Sequence, residues 1–139
     1  MKILIIDGQG GGLGKNIISR IRKNEAFPEC EIIAVGTNSI ATSAMLKAGA
    51  TYGATGENAV VFNCQNADVI LGAVGIAFVN SMFGEISPNM ANAVSKSSAF
   101  KLLVPISKCS VCVVGVVEKP MLSYIDDLIF ELDKFLKNS

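Results

Sequence analysis

Ile3-Leu4-Ile5-Ile6-Asp7-Gly8-Gln9-Gly10-Gly11-Gly12-Leu13-Gly14-Lys15 is the stretch that decides how this chain folds. Four consecutive apolar residues suit a parallel strand covered on both faces. The five glycines in positions 8–14 give up roughly 0.5–1 kcal/mol each on ordering where an alanine could have served. Such a loop makes sense where backbone amides turn sharply and come close to something bulky and anionic. A helix starting at Leu13 would aim its free N–H groups at the same spot, and phosphate is the expected guest. Gly8, Gly10, Gly11, Gly12 and Gly14 would carry it, with Gln9 between them. Lys15 opposes the helix dipole unless an anion sits nearby; the alternative is a solvated surface lysine.

Outward from this junction, strand and helix patterns alternate to the end of the chain. Leu13–Asn24 carries apolar residues at 13, 17, 18 and 21 and reads as an amphipathic helix. Glu31–Gly36 is the second strand, and Asn38 or Ser39 caps a short helix to about Ala48. An edge strand over Ala50–Gly53, a helix over Glu57–Asn66 capped by Thr55, and a buried strand over Ala67–Gly72 follow. Ser87-Pro88 predicts a helix over Pro88–Lys96, because proline suits the first helical position. Lys101–Ile106 is a strand, and the short connection Ser107–Ser110 implies that Val111–Val117 returns as an antiparallel hairpin strand. A long terminal helix follows Pro120. The expected architecture is a single domain, 1–139, of α/β class. It is a three-layer doubly wound Rossmann-like sheet, mainly parallel, with that antiparallel strand and the C-terminal helix at its end. Its ligand crevice falls where strand order reverses, with Gly72 and Gly75 facing the glycine loop.

Composition narrows the classes. Only 17% of residues are charged, and 12 basic residues balance 12 acidic ones, so no field exists to hold a polyanion and nucleic acid is not an expected partner. Four apolar residues after Met1-Lys2 are too few for a signal-peptide core, and Val69–Val79 is too short for a membrane span, so a cytoplasmic protein without membrane attachment is expected. Low charge on so short a chain implies self-association into a homo-oligomer, through the uncharged Val74–Phe83 run or the terminal helix. Cys109-Ser110-Val111-Cys112 is a lone Cys-x-x-Cys in a protein without histidine, so no metal site is expected. Crossing from a turn into a strand, it leaves Cys112 buried and inert, and no disulfides are expected.

The spacing Gly8, Gly12, Gly14 after the first strand resembles the Gly-x-x-x-Gly-x-Gly loop of short-chain dehydrogenases, over roughly the first 25 residues. That resemblance implies NAD or NADP as cofactor. Neither Tyr52 nor Tyr124 has a lysine four residues on, so the proton-transfer pair of those enzymes is missing. No acidic residue closes the second strand to grip a ribose diol; Thr37 and Asn38 stand there instead. Against the phosphate loop of NTPases, Gly14-Lys15 fits, but Gln9 replaces the first glycine and Asn16 the magnesium-binding hydroxyl.

The whole chain also resembles a small uncharacterised bacterial family catalogued only as a domain of unknown function. The tracts concerned are Ile6–Lys15, Gly36-Thr37-Asn38 with Ala41–Ala50, Gly53–Ala59, and Asn80-Ser81-Met82 with Gly84-Glu85-Ile86. The resemblance implies a bacterial source and a Rossmann-like shape but no activity.

Three functions follow. The first is a binding or regulatory module for a nucleotide, dinucleotide or other phosphorylated small molecule at Gly8–Lys15, with Thr37, Asn38, Gly72 and Gly75 shaping the crevice. The second is a small NAD(P)-dependent reductase or transferase using Asp7, Asn80 or Glu85 as catalytic groups. The third is a structural or assembly protein with no ligand.

Overall fold

The structure, a computed structural model, describes residues 1–27, 29–106 and 110–138. Five strands, β1 (Lys2–Asp7), β2 (Glu31–Gly36), β3 (Tyr52–Thr55), β4 (Val69–Ala73) and β5 (Phe100–Val104), form one sheet in the order β3-β2-β1-β4-β5. Every pairing is parallel: Lys2–Asp7 lies beside Glu31–Gly36, and Ile3, Leu4 and Ile5 lie beside Val69, Ile70 and Leu71. Consecutive residues of β1 and all of β4 are buried, so side chains on both faces of the sheet are covered, as the uninterrupted apolar runs required.

Five helices provide that cover: α1 (Gly12–Lys23), α2 (Ser39–Lys47), α3 (Glu57–Cys64), α4 (Pro88–Lys96) and α5 (Met121–Lys137). α1 packs against α2 and α5, while α3 packs against α4. The stripe read from sequence is the buried face of α1: Leu13, Ile17, Ile18 and Ile21 are all inside. Each isoleucine so placed contributes roughly 1.5–3 kcal/mol of burial. Arg20, Arg22 and Lys23 occupy the last turn, where positive charge suits the helix dipole. α5 contributes Tyr124, Ile125, Leu128 and Leu132 to the core, and an ion pair from Arg20 to Asp126 ties it to α1.

Helix starts divide into the legible and the illegible. Asn38 accepts the Ala41 amide at 2.9 Å and Ser87 accepts the Met90 amide at 3.2 Å, both as side-chain caps. Thr55 does not cap α3. It ends β3 and shares a hydrogen bond with the Thr42 hydroxyl at 2.7 Å, while Gly56, at φ 100°, takes the cap position.

The main departure lies after β5. Val111–Val117 does not form an antiparallel strand, and among the described residues no strand follows β5. Gly115, at φ 88°, turns the chain, and the Val116 amide reaches the Val113 carbonyl at 3.4 Å. A residue in the left-handed region interrupts extended pairing, so the run of β-branched residues never reaches a ladder. Cys112 is consequently exposed rather than buried, while the connection through Cys109 lies outside the described residues apart from Ser110. Cys30, Cys64 and Cys112 are free thiols. No helix among the described residues is long and apolar enough to cross a membrane.

Candidate functional site

Strand order places β1 and β4 side by side although β2, β3 and their helices intervene in sequence. Connections leave β1 and β4 toward opposite edges of the sheet, opening a crevice beyond their carboxyl ends. A cavity of about 240 Å³ sits there, lined by Asp7, Gly8, Gln9, Gly10, Gly12, Leu13, Ala73, Gly75, Ser81, Met82, Ile106 and Met121. Drug-sized ligands fill roughly 300–1,000 Å³, so this cavity encloses a ring or a short chain, and a larger ligand must continue outside it.

The loop over the cavity is held by the protein's own carboxylates. Asp7 Oδ1 accepts the Gly8 amide at 2.8 Å, and Oδ2 accepts the Gly14 amide at 2.7 Å, in the first turn of α1. Gln9, at φ 51°, donates its amide to Glu85 Oε1 at 2.6 Å. Asn38 Nδ2 donates both to Glu85 Oε2 at 2.7 Å and to the Gln9 carbonyl at 2.9 Å. A carboxylate therefore stands where the helix dipole favours negative charge. Burial pushes the Asp7 carboxyl above its usual 3.8; the Gly14 and Gly8 amides pull it down, the nearby Glu85 charge pushes it up, and the Leu13 amide pulls it down.

The glycines then separate by cause. A Cβ on Gly8 would lie 2.7 Å from Thr37 Oγ1 and 2.8 Å from Glu85 Oε1. On Gly14 it would lie 2.5 Å from Met45 Sδ and 3.1 Å from Asp7 Cβ, and on Gly11, at φ 74°, 2.8 Å from the Ala41 backbone. Packing of the chain on itself accounts for these three. Gly10 and Gly12 are different: neither has positive φ, and a Cβ on either would meet nothing within 4 Å. Among the described residues no acceptor meets their amides.

This division predicts that Gly11→Ala destabilises the fold by about 2 kcal/mol, from left-handed strain together with the backbone contact at Ala41. Urea titration of the variant checks it.

The remaining candidates scatter. Gly75 lines the cavity, while Gly72 lies behind it, where a Cβ would press on the Ile6 carbonyl at 2.8 Å. The Thr37 hydroxyl is buried without a hydrogen-bond partner among the described residues. Lys15 is exposed and lines a separate groove with Ser39, Ile40, Ser43, Ala44 and Lys47, away from the cavity. Asn80 is also exposed; its role is in the backbone, at φ 68°, with its amide on the Ile86 carbonyl and its carbonyl accepting from Gly84.

Asn80 belongs to a tight loop that the sequence did not disclose. Met82 and Phe83 also lie in the left-handed region, at φ 57° and 56°, a conformation costing on the order of 1–3 kcal/mol per residue. The Ser81 hydroxyl donates to the Gly75 carbonyl and helps fasten the loop. That geometry brings Ser81 and Met82 to the cavity and Glu85 to the glycine loop. Ile106 and Met121, wall residues that the sequence did not point to, flank the part of the chain that leaves the sheet.

The chain is thus a parallel α/β protein with a glycine loop and a walled cavity at the switch point of its sheet. Residues 2–137 match the family described as Domain of unknown function (DUF3842), and the chain belongs to that family. No curated protein and no solved structure matches the chain.

Proposed function

We propose that the chain is a cytoplasmic binding or regulatory module of Rossmann-like shape. Its ligand is a nucleotide, a dinucleotide such as NAD or NADP, or another phosphorylated small molecule at the Gly8–Lys15 loop. One observation carries the reading: Gly10 and Gly12 are glycines that the protein's own packing and backbone do not require, both line the cavity, and among the described residues no acceptor meets their amides. Glycine at such a position is explained by the close approach of something from outside. Two free amides beside a helix N-terminus receive phosphate oxygens, and the cavity takes a ring or other compact group.

Asp7 and Glu85 restrict how the phosphate enters. They occupy the amides of Gly8, Gly14 and Gln9 and so hold the loop in one shape before any ligand arrives. Preorganisation of this kind reduces the ordering that binding must pay for. The phosphate therefore approaches from the side of Gly10 and Gly12. Lys15 stands outside the cavity and offers its charge to whatever part of the ligand extends along the surface.

Thermal melting of the protein with NAD, NADP, flavin, ATP, GTP and coenzyme A tests the reading. One ligand at about a hundred times its dissociation constant adds ~2.7 kcal/mol to stability. A melt unmoved by all six compounds contradicts the nucleotide and dinucleotide forms of this proposal and favours the structural reading. A small NAD(P)-dependent reductase or transferase is the second reading, favoured by the upward-shifted Asp7 carboxyl in the cavity wall. A carboxyl tuned in that direction suits proton transfer.

A further inference from the structure

The longest exposed apolar run in the described chain is the one that failed to become a strand. Val114 is 92% exposed and Val117 77%, with Val113 and Val116 near two-fifths. The tight turn through Gly115 holds Val114 outward. Beside this turn runs β5, at the edge of the sheet, with no strand on its outer side among the described residues. Between β5 and α5 lies a groove of about 370 Å³ whose apolar walls include Leu102, Leu103, Val104, Pro105 and Leu128. An uncharged projection and an apolar recess thus stand side by side on one chain.

The chain does not satisfy the pair by itself. Val116 and Val117 already form one end of the groove. Tyr124 fixes them there, its hydroxyl donating to the Val117 carbonyl at 2.9 Å and accepting the Lys119 amide at 3.2 Å. Val113 and Val114 are not among the residues that line the recess.

We infer that the Val113–Val117 turn of one copy docks into the β5–α5 groove of a second copy, reciprocally, to make a two-fold dimer. Projection and recess on the same surface make it self-complementary, which is what a closed two-fold contact requires. Residues 110–117 carry no charge, so bringing two copies of the turn together across the axis sets no like charges against each other. The charges at the groove rim do not oppose a neutral occupant: Lys119 pairs with Asp127, and Glu131 with Lys134. The exposed parts of β5, residues 110–119 and the facing turns of α5 supply the contact surface on each side.

Sedimentation velocity of the full chain from about 1 to 100 μM tests the inference. The expected result is a dimer that Val114→Lys weakens at least thirtyfold, with an unchanged circular dichroism spectrum because this side chain supports nothing in the monomer. Phe130→Lys, on the exposed face of α5, leaves the dimer intact. Alkylation of Cys112 is expected to slow as wild-type concentration rises and to stay constant in Val114→Lys. Any of four outcomes overturns the inference: a monomer at 100 μM, a Val114→Lys variant that dimerises like wild type, a dimer broken by Phe130→Lys instead, or a monomer that fills the groove with a foreign extended peptide.

Discussion

Asp7→Ala is expected to lower the stability of the protein by about 2–5 kcal/mol, and its Tm by roughly 10 °C or more. The effect is large because the substitution orphans two amides at once. Gly8 and Gly14 donate to the two oxygens of this one carboxylate, deep beneath the glycine loop. Gly14 is packed so closely on Met45 and Asp7 that the helix start has no room to shift toward another acceptor. Each donor left unsatisfied costs about 1–3 kcal/mol, before the lost packing is counted.

The pH dependence gives the same residue a second signature. The folded-state pKa of Asp7 is raised from 3.8, chiefly by burial. Between 3.8 and that higher value the folded protein holds the proton more tightly than the unfolded chain does. Stability contributed by Asp7 therefore falls as pH rises through this window. Asp7→Asn removes the titration while keeping the shape. The margin of wild type over Asp7→Asn, measured by urea unfolding from pH 4 to 7, is expected to be widest at the acid end and to shrink upward. A margin that grows with pH would mean that the loop amides outweigh burial in setting the charge of Asp7.

Gly12→Ala and Gly10→Ala are expected to separate stability from function. At Gly12, the first residue of α1, alanine is the better helix former by up to ~1 kcal/mol. At Gly10, where the backbone avoids the left-handed region, alanine gains ~0.4–1 kcal/mol by restricting the unfolded chain. Both variants should therefore melt at or above the wild-type temperature. Each new methyl nevertheless stands in the open space through which a phosphate oxygen reaches the amides. Affinity for the nucleotide that raises the melting temperature most should fall at least tenfold, which is ~1.4 kcal/mol. Calorimetric titration of both variants decides it: undiminished binding would sink the phosphate reading of the loop. The contrast with Gly11→Ala, which should lose stability, guards against attributing the result to glycine content alone.

How much of this was legible in the chain depends on the range of the forces concerned. The β1–α1 junction, the apolar stripes of α1 and α5 and the caps at Asn38 and Ser87 are local patterns, written within a few residues, and the structure carries each of them. Parallel pairing of the first four strands followed from alternation of strands with helices long enough to cross over. The Val111–Val117 run misled because β-branched apolar residues signal a strand wherever they occur, whereas a ladder needs a partner in register and an uninterrupted backbone. Gly115 supplies a turn instead.

The candidate site was legible in its glycines and in the polar residues Asp7, Gln9, Asn38 and Glu85, but not in the contacts that join them. Sequence alone determined a parallel α/β protein with a glycine loop at the first helix, since strand burial, helical periodicity and glycine freedom are properties of neighbours along the chain. Which glycines answer to packing and which face open space was settled only by tertiary structure. So was the clamp of Gln9 and Asn38 by Glu85, and so was the unpaired valine turn beside β5. The physical reason is distance along the chain: Gln9 and Glu85 lie 76 residues apart, and a contact of that span exists only once the sheet has closed the crevice around it.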